Sequence, residues 1–296
     1  MRDILVTGGS GQVGGALVRL GAPNGFRFVA PPRAELDLGD PASIAAFFAS
    51  RPWAAVINAG AYTAVDRAQT EVEAAWRVNA LAPACLARAT AEAGVPIIHV
   101  STDYVFPGNL ERPYREDDPI GPLSVYGASK EGGEQAVRTG NPRHAIVRTS
   151  WVVSAHGANF VKTMLRLGAD RELLRVVADQ HGAPTAAADL ADVLAMIAQR
   201  MITDPLAPGG TFHFANAGAT TWAGFAAEIF RLSAARGGPS ARVEPIATKD
   251  YPTPARRPAN SRLDLQRIRD LHGVQPRPWE QAIAEIIDEL IPPRAS

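Results

Sequence analysis

In the first half of the chain, short apolar runs alternate with segments whose apolar positions recur at helical spacing. Ile4-Leu5-Val6, Phe26 to Ala30, Ala55-Val56-Ile57, Ile97-Ile98-His99-Val100 and Ile146-Val147 read as strands. Gly14 to Leu20, Pro41 to Ser50 and Glu71 to Ala93 read as helices, the second with Ile44, Phe47 and Phe48 on one face. Runs that are apolar at successive positions, rather than at alternate ones, belong to strands buried on both faces. Their alternation with helices predicts an α/β fold, a doubly wound parallel sheet covered on both sides. After Trp151 the pattern loosens. Phe160 to Leu167, Ala187 to Arg200, a segment capped by Thr220 or Thr221, and Trp279 to Leu290 read as helices. Thr211 to Ala215 is one candidate strand, and prolines cluster between Pro239 and Pro258.

The first strand runs directly into Gly8-Gly9-Ser10-Gly11-Gln12-Val13-Gly14, a G-x-x-G-x-x-G turn with a helix after it. Glycine suits a tight strand-to-helix turn and lets a pyrophosphate approach the backbone, and the helix N-terminus then offers free N–H groups to it. Placed between a strand and a helix, the turn points to a dinucleotide site of the Rossmann type. The expected organisation is an NAD(P)-binding domain over residues 1–150. Residues 151–296 then hold the remaining Rossmann elements interleaved with a smaller substrate-binding lobe. The usual carboxylate at the end of the second strand is missing; Pro31-Pro32-Arg33 stands there instead. Arg33 is either a partner for the 2′-phosphate of NADPH or a solvated surface arginine. Asp37 and Leu38 follow on the adenine side.

Composition narrows the class. Apolar residues make up 46% and charged residues 20%, with 30 basic and 30 acidic side chains in balance. That is the profile of an ordinary globular protein and gives no basic face for nucleic acid. No run of about 18 apolar residues is present for a membrane span, and the N-terminus turns polar too quickly for a signal peptide. The single cysteine, Cys85, allows no disulfide within the chain, which fits the cytoplasm.

The candidate chemistry lies around Tyr126 and Lys130, four residues apart in Tyr126-Gly-Ala-Ser-Lys130. On a helix these share a face, and an ammonium beside a phenol favours the phenolate, which brings the phenol toward the working range of a general acid. Upstream, Ser101-Thr102-Asp103-Tyr104 ends the fourth strand. Ligands of parallel sheets bind outside the carboxyl ends of the strands, so Thr102 is either a donor to a substrate oxygen or a turn cap. His99, inside a strand, reads as a core histidine. His181, in a Gly-Pro loop, reads equally as loop or ligand contact. Arg257 reads either as a solvated surface residue or as a clamp for a substrate diphosphate, a task that suits the guanidinium fork. No Cys/His cluster or acidic loop suggests a metal.

Five segments occur in this order: Gly8 to Gly14, Asn58-Ala-Gly-Ala-Tyr-Thr-Ala-Val-Asp66, Ser101-Thr-Asp-Tyr-Val-Phe106, Tyr126 to Lys130 and Arg148-Thr-Ser-Trp151. Together with Asp179-Gln-His-Gly-Ala-Pro-Thr185 and Arg257-Pro258 they resemble the dTDP-4-dehydrorhamnose reductases, extended short-chain dehydrogenases. The resemblance spans nearly the whole chain. It implies reduction of the 4-keto group of dTDP-4-dehydro-L-rhamnose by NADPH, with NADH also accepted, and a catalytic set of Thr102, Tyr126 and Lys130. Cofactor contacts are implied for Gly8, Gly11, Gln12, Val13, Gly14, Ala61, Tyr62, Thr63, Tyr126 and Lys130, and substrate contacts for Thr102, Asp103 and Trp151. A homodimer and magnesium at its contact are family expectations. The alternatives are another sugar-nucleotide reductase or epimerase of the same fold, or a non-catalytic regulatory relative; the presence of both Tyr126 and Lys130 counts against the last.

Overall fold

A computed structural model describes residues 1–292. Its strands are β1 (Arg2–Thr7), β2 (Phe26–Val29), β3 (Ala55–Asn58), β4 (Ile97–Thr102), β5 (His144–Thr149), β6 (Val152–Val153), β7 (Leu173–Val177), β8 (His181–Gly182), β9 (Thr185–Ala186), β10 (Gly210–His213), β11 (Thr220–Thr221) and β12 (Arg242–Ile246). Its helices are α1 (Gln12–Leu20), α2 (Pro41–Ala49), α3 (Val72–Trp76), α4 (Ala82–Glu92), α5 (Val125–Gly140), α6 (Phe160–Asp170), α7 (Ala187–Thr203), α8 (Trp222–Ala235), α9 (Gln266–His272) and α10 (Trp279–Leu290).

Six strands form one parallel sheet in the order β10-β5-β4-β3-β1-β2. Successive residues of its strands feed opposite layers. Ile4 and Val6 on β1 and Ile98 on β4 pack with Leu17 of α1 and Leu190, Leu194 and Ile197 of α7. Leu5 and Ile97, their chain neighbours, pack with Ile44 of α2, Leu86 of α4 and Val137 of α5. This double burial is why the strands are apolar at every position. The chain leaves β1 for β2 on one side and then crosses to β3 on the other. A crevice opens at that reversal, at the carboxyl ends of the strands.

The second half divides its elements. α7 and β10 return to the sheet, whereas β7 pairs in parallel with β12 in a separate small sheet. A separate apolar core, including Val161, Met164, Phe225, Ile229, Trp279 and Ile283, joins α6, α8 and α10.

The structure corrects several sequence expectations. The helix expected over 71–93 is interrupted: α3 ends at Trp76, a wide turn of π type occupies Arg77–Leu81, and α4 begins at Ala82. Pro83 lies in the first turn of α4, directly after that wide turn, and without an N–H it cannot carry the helical hydrogen-bond ladder across the junction. β7, β12 and α9 were not expected. β12, Arg-Val-Glu-Pro-Ile, is mostly exposed and contains Pro245, a composition compatible with a strand only at a sheet edge. Among the described residues no helix is long and apolar enough to cross a membrane.

Candidate active site

The glycine turn is shaped by close approach. Gly8 has φ +70°, and a Cβ there would lie 2.6 Å from the backbone of Gly60 at the end of β3. A Cβ on Gly14 would lie 2.2 Å from the Gly8 carbonyl oxygen. No side chain caps α1, whose N-cap is Gly11, so its first N–H groups are available to an anion. The cradle fits the pyrophosphate of a dinucleotide.

Not every residue of the cofactor set is arranged as expected. Leu38 packs over Gly60, where a Cβ would meet its Cδ1 at 2.4 Å. Arg33 is 83% exposed and held only by Asp37 at 3.4 Å. Gln12 directs its side chain into the second half of the chain: Nε2 donates to Val152 O (3.2 Å), and Oε1 accepts from Ser154 Oγ (3.3 Å) and Asn159 Nδ2 (2.9 Å). Its amide is thus engaged, leaving the backbone to face the turn. Ala61, Tyr62 and Thr63 follow β3 and are anchored by Asn79, a residue the sequence reading missed. Asn79 Oδ1 accepts from Tyr62 N (2.8 Å), and its Nδ2 donates to Tyr62 O and Ser129 Oγ (both 3.0 Å). It lies in the wide turn at 77–81, a helix distortion often found at functional sites.

β4 and α5 carry the candidate reacting groups. Ser124 caps α5, its Oγ accepting from Gly127 N, which sets Tyr126 in the first turn and Lys130 one turn later. Thr102 ends β4, accepts from Tyr104 N (3.2 Å) and donates to Asp103 Oδ1 (3.0 Å). It is therefore a cap, and its hydroxyl also lies beside the Tyr126 phenol, drawing the phenol pKa down. Tyr104 meets Tyr126 edge-on, with ring centroids 5.5 Å apart.

The electrostatics of the pair are governed first by burial. Burial pushes the Tyr126 phenol above its ordinary range, aided by Asp103 and Tyr104 and opposed by Thr102. Lys130 donates to Val100 O (2.7 Å), and burial pushes its own pKa down to about 8 against the pull of Glu134. Tyr126 is thus held as a neutral phenol, which is the form that donates a proton. Asp103 is also buried. Its Oδ2 has no hydrogen-bond donor, and burial pushes its pKa up to about 6 although Ser261 and Thr102 act to lower it.

Behind these groups lies a buried ion pair. Glu134 of α5 accepts from Arg148 of β5 at 2.8 and 2.7 Å and from Ser101 of β4 at 2.6 Å.

The expected substrate residues lie toward the second half of the chain. Trp151 has φ +48° and stacks on Trp222 at 3.7 Å, so one face of its indole is covered. Arg257 pairs with Asp66 (2.8 Å) and donates to Tyr104 OH (3.2 Å). A cavity of about 720 Å³ has Arg257 on its wall, with Phe160, Met164, Trp222, Arg175 and Tyr251. Thr102 and Tyr126 do not line it; the Arg257–Tyr104 contact connects the cavity to the phenol. His181 is exposed on β8, its backbone paired with Ala259 and Ser261. Among the described residues no group of three or more His, Cys, Asp or Glu stands together to hold a metal.

Residues 1–291 match the family model described as the RmlD substrate binding domain. The chain is 42% identical to a dTDP-4-dehydrorhamnose reductase from Aggregatibacter actinomycetemcomitans, over 97% of this chain and 98% of that one. A crystal structure of a dTDP-4-dehydrorhamnose reductase from Clostridium acetobutylicum superposes with a TM-score of 0.91 at 36% identity, covering 97% of this chain and 99% of the other. The Bacillus anthracis enzyme of the same name, solved in complex with NADP, gives 0.89 at 34% identity, covering 98% and 100%.

Asp103 yields a prediction with a definite sign. An acid whose folded pKa lies above its unfolded value of 3.8 binds its proton more tightly when folded, so its ionisation costs stability as pH rises toward 6. Two pKa units correspond to about 3 kcal/mol as an upper figure. Asp103→Asn is expected to match the wild type in urea unfolding at pH 4 and to exceed it above pH 6. Equal stability at pH 8 would show that Asp103 is not ionised against burial.

Proposed function

The chain belongs to the RmlD substrate binding domain family, and from that premise we propose that it reduces the 4-keto group of dTDP-4-dehydro-L-rhamnose to give dTDP-L-rhamnose, using NADPH. The observation that carries this reading is the arrangement of three features. They are the glycine cradle at the switch between β1 and β3, the neutral phenol of Tyr126 beside Thr102, and the apolar cavity walled by Arg257. The first suits a dinucleotide, the second a developing alkoxide, and the third an aromatic base with its phosphates.

NADPH, when bound, supplies the hydride; the protein supplies position and field. Thr102 orients the keto oxygen by turning toward it the hydroxyl hydrogen that Asp103 otherwise accepts. Tyr126 gives its proton to that oxygen as charge develops on it, and burial keeps the proton in place until then. Lys130 holds the cofactor side of the cleft. Asp103 and Trp151 flank the sugar, and Arg257, already drawn to the rim by Asp66, meets the diphosphate. The absence of a carboxylate after β2, with Arg33 in its place, makes NADPH at least as good a donor as NADH.

Two experiments test the reading. Tyr126→Phe is expected to lower turnover about 10²–10⁴-fold with little change in NADPH affinity; near-normal turnover at saturating substrate would remove Tyr126 as the acid. Consumption of NADPH is to be compared for dTDP-4-dehydrorhamnose, its UDP counterpart and the free keto sugar. Binding energy from the remote nucleotide orients the reacting carbon, so the free sugar should lose turnover as well as affinity. Comparable kcat/KM for the free sugar would overturn the substrate class, and equal use of the UDP sugar would overturn only the base.

A further inference from the structure

A buried chain of polar contacts leads away from Lys130, through groups that the proposed reaction does not use. Lys130 Nζ lies 3.4 Å from His99 Nε2, His99 Nδ1 lies 2.9 Å from Asn58 Nδ2, and Asn58 Oδ1 lies 2.5 Å from Thr7 Oγ1. We propose that His99 carries its single proton on Nε2 and turns that N–H toward Lys130, so that the lysine faces a donor where an acceptor would have stabilised its charge. His99 is then a positioning residue for Lys130.

The placement of the protons follows from the distances. A separation of 2.5 Å lies within the range of an O–H···O bond and is short for N–H···O. The atom of Asn58 facing Thr7 is therefore its oxygen, accepting from the hydroxyl. Thr7 Oγ1 itself accepts from Gly60 N at 3.0 Å, which leaves its own hydrogen free to donate. With the Asn58 oxygen so engaged, its NH₂ faces His99 and donates to Nδ1. A neutral imidazole holds one proton, so an accepting Nδ1 requires Nε2–H. His99 is neutral because it is fully buried beside a cation, and its pKa falls well below the ordinary value.

The groups around Lys130 are few. From β4 come His99 and the Val100 carbonyl; from α5 come Glu134, one turn on and bound to Arg148, and Tyr126, one turn back. The carbonyl takes one proton of the ammonium. The Nε2–H opposes another and becomes a hydrogen-bond donor to the amine once Lys130 has given up its proton. This acts in the same direction as burial, which brings Lys130 down to about 8 against the pull of Glu134. The catalytic use of that proton rests on the assignment of Tyr126 as the acid; the tautomer of His99 does not.

The test uses the full chain labelled with ¹⁵N-histidine and ¹³Cε-lysine. The chain has six histidines and only three lysines, Lys130, Lys162 and Lys249, so the Lys130 signal is readily assigned. Between pH 6 and 9, His99 should show a bare Nδ1 and a protonated Nε2, and its Nε2 signal should shift with the same midpoint as Lys130. Asn58→Leu is similar in size, uncharged and removes the donor to Nδ1. It should let His99 change tautomer and accept from Lys130, raising the Lys130 midpoint by a unit or more, a tenfold gain in proton affinity. A proton on Nδ1 in the wild type, an Nε2 signal indifferent to the Lys130 titration, or an unchanged midpoint in the variant would each overturn the proposal. If the variant fails to fold, the wild-type spectra decide alone. A chain that fails to reduce the sugar nucleotide would overturn the proposed function and leave these spectra as expected.

Discussion

The arrangement of the cleft depends on the buried ion pair between Arg148 and Glu134. Side chains 1% and 0% exposed meet in a two-pronged contact, the geometry in which guanidinium and carboxylate bind most strongly. Two such charges leave water at a cost that only their mutual contact and further hydrogen bonds offset. Here Ser101 gives Glu134 a third bond, Arg148 donates to the Glu116 carbonyl, and the Arg148 guanidinium lies over the Phe106 ring. Removing either partner alone would strand a buried charge, with a typical cost of about 3–5 kcal/mol. The pair locks the end of β5 and the end of β4 to α5. Thr102 is the residue after Ser101, and Lys130 lies one turn before Glu134. The candidate reacting groups inherit their positions from this lock.

The same burial sets the protonation states. The site excludes water around Tyr126, Lys130, His99 and Asp103, and in each case burial favours the uncharged form. A neutral phenol, a lysine poised near 8 and an acid poised near 6 are the outcome. Burial is the largest influence on the phenol. The phenol is kept protonated, which is what reduction of a ketone asks of it.

The sheet and the glycine turn were legible because their signals are local: apolar runs, helical spacing, and glycines between a strand and a helix. Tyr126 and Lys130 were legible for the same reason. What escaped was non-local. β12 has little apolar character of its own and gains its strand geometry from β7, about 70 residues earlier. Asn79 owes its role to a wide turn inside what reads as one continuous alanine-rich helix. Glu134 carries no signal of its own in the sequence, and its role emerges only where β5 brings Arg148 against it. The reading of His99 as a core histidine described its burial correctly and missed its neighbour, because the contact with Lys130 joins β4 to α5 across 31 residues. Gln12 sits in the expected turn, but its side chain answers to Val152, Ser154 and Asn159, about 140 residues away.

The central claim is that this cleft directs hydride from the nicotinamide to carbon 4 of the sugar. NADPH deuterated at the reactive position of its nicotinamide ring, incubated with the enzyme and dTDP-4-dehydrorhamnose, tests it most directly by NMR of the product. The account predicts one deuterium at carbon 4 of the sugar and none elsewhere. Deuterium at carbon 3 or 5, or a product without deuterium although the keto group is consumed, would contradict it.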